Sequence, residues 1–277
     1  MTLDEKLEAL RQLMQQDVGA RGLAGEVFAA CAGDLARACR SLAHAQAVEV
    51  VTGFPIPPDW RYETDGPPGA HFLLRCLHHL GIPARVVTEE RLAHSLNLAL
   101  PGPWATSFEK AQRDPWPQAH VVAIERPGPA VDGRCYSMRG IDLTLQVTDL
   151  RPFLAGRPFL AIGDGGNEAG MGKVPAEVLA RNIPNGSVIA CRLPADHLLV
   201  AGVSNWGAWA LGIGTCLARS CPLPPLDAGW EREPLEALVS QGGLIDGVTG
   251  RAEASVDGVP FGLYIQPLLE MRKVAEA

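Results

Sequence analysis

An α/β fold, with a doubly wound, mostly parallel sheet of about six or more strands and helices on both faces, is predicted by three features of the sequence. Short β-branched runs recur along the chain, segments of helical period fall between them, and the runs are almost continuously apolar instead of alternating. Continuous apolarity, as in Val48, Val50 and Val51 or in Leu198, Leu199 and Val200, belongs to strands covered on both faces. A strand, helix, strand order with right-handed crossovers supplies the helices that do the covering. The length of 277 residues suits one large domain or two small ones, and the alternation favours one domain over 1–277.

The strands are expected at Ala47–Thr52, Ala84–Thr88, His120–Glu125, Phe159–Gly163, Ser187–Cys191 and Leu198–Val203. Helices are expected at Leu23–Ala45, Gly69–Leu80, Glu89–Leu98, Pro175–Asn182, Asn205–Ala218, Leu235–Gln241 and from Pro267 to the C-terminus. In the second of these, Phe72, Leu73, Cys76, Leu77 and Leu80 recur at spacings of three and four, and Gly81 follows where a C-terminal cap belongs. Leu3, Leu7, Leu10, Leu13 and Met14 give residues 1–22 an amphipathic N-terminal helix. Such a helix packs on the body or on another subunit, so a homo-oligomer is one arrangement it allows. The proline-rich segments 101–118 and 222–230 read as ordered loops, and Asp132-Gly133 and Asp257-Gly258 as hairpin turns.

Composition excludes several functions. The chain is 47% hydrophobic and 20% charged, which is too apolar for disorder. Its 24 basic and 31 acidic side chains leave a net charge of −7, with no basic excess for a nucleic-acid partner. Leu198–Ala218 carries no charged residue, but Gly202, Gly207, Gly212 and Gly214 with Ser204 and Asn205 read as a buried strand and helix, not a membrane span. Seven cysteines without a C-x-x-C pair read as reduced thiols, and the acidic start after Met1 lacks a secretory signal, so the cytoplasm is the default location. His71, His78, His79 and His197 lack zinc-site spacing and read as core or solvated side chains.

The unusual local sequences lie where strands end. Thr52-Gly53-Phe54-Pro55, Glu125-Arg126-Pro127-Gly128, Gly163-Asp164-Gly165-Gly166-Asn167-Glu168 and Ser204-Asn205-Trp206-Gly207 each follow a strand. In a parallel sheet all strand exits share one edge, where open α/β folds bind ligands, so one site is expected to use all four loops. The Gly-rich loop suits an anion held by backbone amides at the start of the following helix. It is not a dinucleotide fingerprint, because Glu168 stands where the third glycine should be. The carboxylates of Asp164 and Glu168 also suit an amine or a hard metal ion. More modest roles compete: Asp65 could cap the next helix, Glu125 and Arg126 could pair with neighbours at a strand end, and Trp206 could be core.

These segments also carry a resemblance. Val51-Thr52-Gly53-Phe54-Pro55-Ile56, Thr64-Asp65-Gly66-Pro67-Pro68-Gly69-Ala70, Glu125-Arg126-Pro127-Gly128, Tyr136-Ser137-Met138-Arg139-Gly140, Ile162 to Gly172 and Val203-Ser204-Asn205-Trp206-Gly207 resemble the D-glutamate cyclase family. More narrowly, they resemble the domain that forms the C-terminal part of the two-domain animal enzyme and stands alone in bacteria. The resemblance runs from about Val48 to Gly262 and implies a hydro-lyase converting D-glutamate to 5-oxo-D-proline and water. Such a reaction acts on a small molecule and requires no redox or carrier cofactor.

The residues themselves suggest roles. Asp164 or Glu168 would take the ammonium proton, with Asn167 and Glu125 completing the catalytic set. Arg139 would hold a carboxylate in bidentate fashion, while Ser204, Asn205, Asp65 and the backbone at Gly53, Gly165 and Gly166 would bind the rest. No metal is assigned, although Asp164 and Glu168 offer a site for Mg²⁺ or Mn²⁺. The alternatives are a divalent-metal-dependent α/β enzyme acting on another small anionic metabolite and a non-catalytic anion-binding sensor.

Overall fold

Six strands rich in Val, Ile, Leu and Ala form the central sheet of the computed structural model, which describes residues 1–277. In chain order they are β1 (Val48–Thr52), β2 (Ala84–Thr88), β3 (Ala105–Ser107), β4 (His120–Ile124), β5 (Phe159–Gly163) and β6 (His197–Val200). All neighbours are parallel, in the spatial order β3-β2-β1-β4-β5-β6. The winding therefore reverses between β1 and β4, where Val50 pairs with Val122 and Thr52 with Ile124. A crevice at the carboxyl ends of two such strands is the expected ligand position in a sheet of this kind.

Alternate strand residues enter two separate cores. Val50, Val86, Val122, Leu160 and Leu199 face one, and Val51, Val87, Val121, Ala161 and Leu198 face the other. This is why the strands read as unbroken apolar runs. The first core is closed by α1 (Leu3–Met14), α2 (Asp34–Leu42), α3 (Pro67–His79) and α4 (Glu90–Ala99). The second takes α5 (Phe108–Arg113) and α6 (Ala176–Asn182). The first core also receives α7 (Ser204–Ala218), α8 (Gly229–Ser240) and α9 (Gln266–Glu276). Buried along nearly its whole length, α7 packs against α1, α2, α3 and α9, and no helix is long and apolar enough to cross a membrane.

Four expectations are corrected. Ser187–Cys191 is not a strand: Gly186–Ile189 forms a short helix after Asn185, whose φ of +59° starts a turn. The sixth strand is instead β3, inside the segment read as a loop. It is a three-residue edge after Pro101 and Pro103, too short to show a period, and Ser107 then caps α5 by accepting from Lys110 N at 3.3 Å. Leu23–Ala45 is two helices, Glu26–Ala30 and α2, broken at left-handed Gly33. The other proline-rich loop ends early, because α8 starts at Gly229 and accommodates Pro234. The Asp257-Gly258 turn does join a short antiparallel pair, Ser255–Val256 with Val259–Pro260, and all seven cysteines are free thiols.

Candidate functional site

The reversal between β1 and β4 brings the strand exits together. Glu125 follows β4 with a φ of +44°, a conformation that side-chain-bearing residues rarely adopt, and its carbonyl accepts from Gly53 N at 3.3 Å. Gly53 itself has a φ of +120°, and a Cβ there would meet Leu92 Cδ2 at 2.5 Å, so only glycine fits this crossing. Ser204, the first residue of α7, donates its hydroxyl to Glu125 Oε2 at 2.6 Å. Asp164 follows β5, and carboxylate oxygens of Glu125, Asp164 and Glu168 lie within 4.8 Å of one another. Oxygens of Asp65, Asp164 and Asp257 form a second such group.

Two helices aim their N-termini at this cluster and cap each other. Asp65 Oδ2 accepts from Ser204 N at 2.8 Å and its Oδ1 from Asn205 N at 2.9 Å, closing α7. In return Asn205 Oδ1 accepts from Gly66 N at 2.9 Å and Gly69 N at 2.8 Å, closing α3, whose first two residues are prolines without an N–H. Asn205 Nδ2 donates to Thr64 O at 3.0 Å. Asp65 does cap a helix, but chiefly α7, distant in sequence from the one that follows it. Both helix N-termini favour negative charge here.

The Gly-rich loop uses its amides differently from expectation. Gly166 N donates to Glu168 Oε2 at 2.8 Å, so the loop binds its own carboxylate, and the next helix in the chain, α6, starts only at Ala176. Asn167 Nδ2 donates to Tyr136 O at 2.6 Å, which fixes the amide orientation and leaves the buried Oδ1 without a partner. Above Gly165, Asn167 Oδ1 and Glu168 Oε1 converge: a Cβ added there would lie 2.8 Å from each.

Three members of the cluster were not foreseen. Arg21 sends Nη1 to Asp164 Oδ1 at 2.5 Å and Nη2 to Asp257 Oδ1 at 3.0 Å. Glu63 is buried beside Asp65, Asp164 and Asp257. A lone Arg between Gly19 and Gly22, and an Asp in a hairpin turn, were the available signals, but neither tells of burial. The N-terminal helix ends at Met14, and the segment after it is laid across the exit of β6, where Gly202 N donates to Met14 O at 2.8 Å.

Six carboxyl groups thus surround one guanidinium. Burial, then the charge of Asp257, pushes Asp65 up to about 7, and burial, then Asp164, pushes Asp257 up to about 8. Burial first, with neighbouring carboxylates second, also holds Glu63 and Glu125 well above the usual range. Asp164 is likewise raised by burial despite Arg21, and burial raises Glu168. Burial opposes the charge of Arg21, but Asp164 and Asp257 outweigh it and raise its pKa. Without a further cation several of these acids hold protons, and closely spaced titrating carboxyls are a functional signature.

Of the expected residues, Glu125, Asp164, Glu168, Asn167, Asp65, Gly53, Gly165, Gly166, Ser204 and Asn205 come together at this edge. Arg139 does not join them: it is exposed and forms no ion pair. Arg126 pairs with Glu89 at 2.5 and 2.6 Å, not with Glu125. Trp206 is core and donates Nε1 to Tyr264 O at 3.0 Å.

Comparison with known proteins identifies the family. A family described as "D-glutamate cyclase-like, C-terminal" matches residues 10–272. The protein named "D-glutamate cyclase, mitochondrial" from Homo sapiens is 33% identical over 317 residues, covering 94% of this chain. The chain spans about half the length of that curated relative, 50%. The relative's mitochondrial name lends no support to the cytoplasmic expectation. With the matched segment containing every residue of the acidic cluster, the chain belongs to the D-glutamate cyclase-like family, as a counterpart of its C-terminal region.

Proposed function

We propose that the chain is a hydro-lyase that closes D-glutamate, or a closely similar amino diacid, into a five-membered lactam with release of water. The observation that carries this reading is the meeting of Glu125, Asp164, Glu168 and Ser204 at the winding reversal of the sheet, in a family whose curated member is named for this activity.

The chemistry is intramolecular. The substrate ammonium loses two protons, its nitrogen bonds to the γ-carboxyl carbon, one C–O bond breaks, and both protons leave with the departing oxygen as water. The protein therefore relays protons without a net gain or loss. Asp164 or Glu168 accepts the first proton. Glu125, held in place by the Ser204 hydroxyl, relays a proton to the departing oxygen. Arg21, not Arg139, is the buried guanidinium beside the reacting groups, and, paired with Asp164 and Asp257, it offers the substrate carboxylate a nearby positive charge and not a free bidentate fork. Holding a folded conformer with amine and γ-carboxyl in contact supplies much of the acceleration.

The test is incubation of the purified chain with D-glutamate, L-glutamate or 5-oxoproline, followed by NMR or chiral chromatography. D-Glutamate should be converted to 5-oxo-D-proline. Asp164→Asn and Glu168→Gln should each slow turnover about tenfold or more while circular dichroism stays unchanged. Wild-type rates in both folded variants would remove these residues from the mechanism, and no turnover of any amino diacid would remove the function.

A further inference from the structure

We propose that Glu125, Asp164 and Glu168, with the side-chain oxygen of Asn167, form a binding site for one hard divalent cation of the Mg²⁺ or Mn²⁺ kind. The chemical role given to it below rests on the lactam-forming reading, whereas its occupancy does not.

The donor geometry is the first support. One oxygen from each carboxylate lies within 4.8 Å of the others. Ligands at the ~2.1 Å typical of Mg²⁺ stand about 3 Å apart when adjacent and about 4.2 Å apart when opposite, so small side-chain adjustments close a coordination shell. Carboxylate and amide oxygens are the ligands that such cations select.

The second support is independent of the acids. Asn167 is fully buried, its Nδ2 is committed to Tyr136 O, and its Oδ1 has no donor anywhere in the protein. That oxygen converges with Glu168 Oε1 above Gly165, where an added Cβ would lie 2.8 Å from each of them and from Met138 Sδ. An unpartnered buried amide oxygen is costly, and a cation shared with Glu168 would satisfy it. Asp164 Oδ2 is in the same state, buried and unpartnered, while Oδ1 is held by Arg21. Arg21 thus neutralises the side of the cluster formed with Asp257 and leaves the side formed by Glu125 and Glu168 with no cation of its own.

The charge balance explains why such a site is needed. Fully ionised, the six carboxylates around one guanidinium would leave five negative charges in excess, only partly offset by the two helix N-termini, so without a further cation several of them keep protons. Glutamate brings one more net negative charge, and a γ-carboxylate resists attack by an amine until its own charge is offset. A divalent cation draws that carboxylate in and stabilises the oxyanion formed as nitrogen bonds to carbon. The C–O bond then breaks and the departing oxygen leaves as water with the two protons released by the amine.

The test is equilibrium dialysis of chelator-treated protein against Mn²⁺, with bound manganese counted by atomic emission and free Mn²⁺ by electron paramagnetic resonance. One Mn²⁺ per chain is expected, displaced by Mg²⁺. Glu168→Gln and Asn167→Ala should weaken it about tenfold or more, Asn167→Asp should retain it, and Glu253→Gln, half-buried and paired with Arg251 outside the cluster, should leave it unchanged. No saturable binding up to millimolar Mn²⁺, or equal binding by the folded Glu168→Gln and Asn167→Ala proteins, overturns the site. Should those variants not fold, an anomalous difference map of wild-type crystals soaked in Mn²⁺ decides it: a peak among Glu125, Asp164 and Glu168 upholds the proposal, and a peak elsewhere or none overturns it. Manganese bound there without 5-oxoproline formation would sink the proposed activity and keep the site. Turnover undiminished in EDTA, with no Mn²⁺ bound, would do the reverse.

Discussion

Asn205 shows how a residue at a functional edge can act entirely on the backbone. Its amide accepts from Gly66 N and Gly69 N and donates to Thr64 O, at 2.8 to 3.0 Å, while Asp65 caps the helix that Asn205 itself opens. The pair locks the starts of α3 and α7 together with Glu125 and Ser204 between them. Asn205→Leu is similar in size but leaves Gly69 N and the Thr64 carbonyl buried without partners, while Gly66 N keeps Asp65 Oδ1 at 3.0 Å. At about 1 kcal/mol or more for each, urea denaturation should show a loss of about 2 kcal/mol or more, and a loss within error of zero would mean that water reaches these groups. Polarity and position after a strand identified Asn205 as part of the site. Its partners, however, lie about 140 residues earlier in the chain, so its role as a mutual cap was not legible before the fold was known.

Among the elements, the connection from α1 to the Glu26–Ala30 helix does the most to close the site, because it carries Arg21 over the strand exits. It is seated by a close approach: a Cβ on Gly202 would lie 1.7 Å from Gln16 O. Gly202→Ala must lift this segment, at an overpacking cost of about 1 to 3 kcal/mol. Since about 1.4 kcal/mol is a factor of ten in population, trypsin should cut at Arg21 about tenfold faster in the variant, with the rest of the chain resistant. Unchanged cleavage would show that the segment is held elsewhere, for example by Asp17, which accepts from Arg21 N and Leu23 N. The strand exits bearing Glu125, Asp164 and Glu168 were legible because parallel strands must end on one edge. Arg21 and Asp257 were not, since a loop and a hairpin turn give no sign in their own sequence of what they will cover. Ser187–Cys191 is misassigned for the same reason: a short, mostly apolar run is compatible with strand or helix until its packing partners are known.

On the scale of the whole molecule, burying acids makes stability depend on pH in an unusual direction, and Glu231 lets this be measured away from the proposed cation site. It lies fully buried on α8, with Tyr264 Oη 3.4 Å from Oε2, and burial pushes its pKa from 4.5 up to about 8. Between those values the native chain keeps a proton that the unfolded chain has lost, so the native state binds more protons and stability falls as pH rises. The effect is absent below about pH 4.5, complete above about pH 8, and no steeper than about 1.4 kcal/mol per pH unit in between. Glu231→Gln keeps an uncharged hydrogen-bonding side chain at this position and removes the titration. Urea unfolding at a series of pH values should therefore show the variant gaining on the wild type from pH 5 to pH 8, reaching an advantage of a few kcal/mol. Parallel curves for the two proteins would mean that Glu231 titrates normally and that Arg75, whose charge acts on it, compensates its burial.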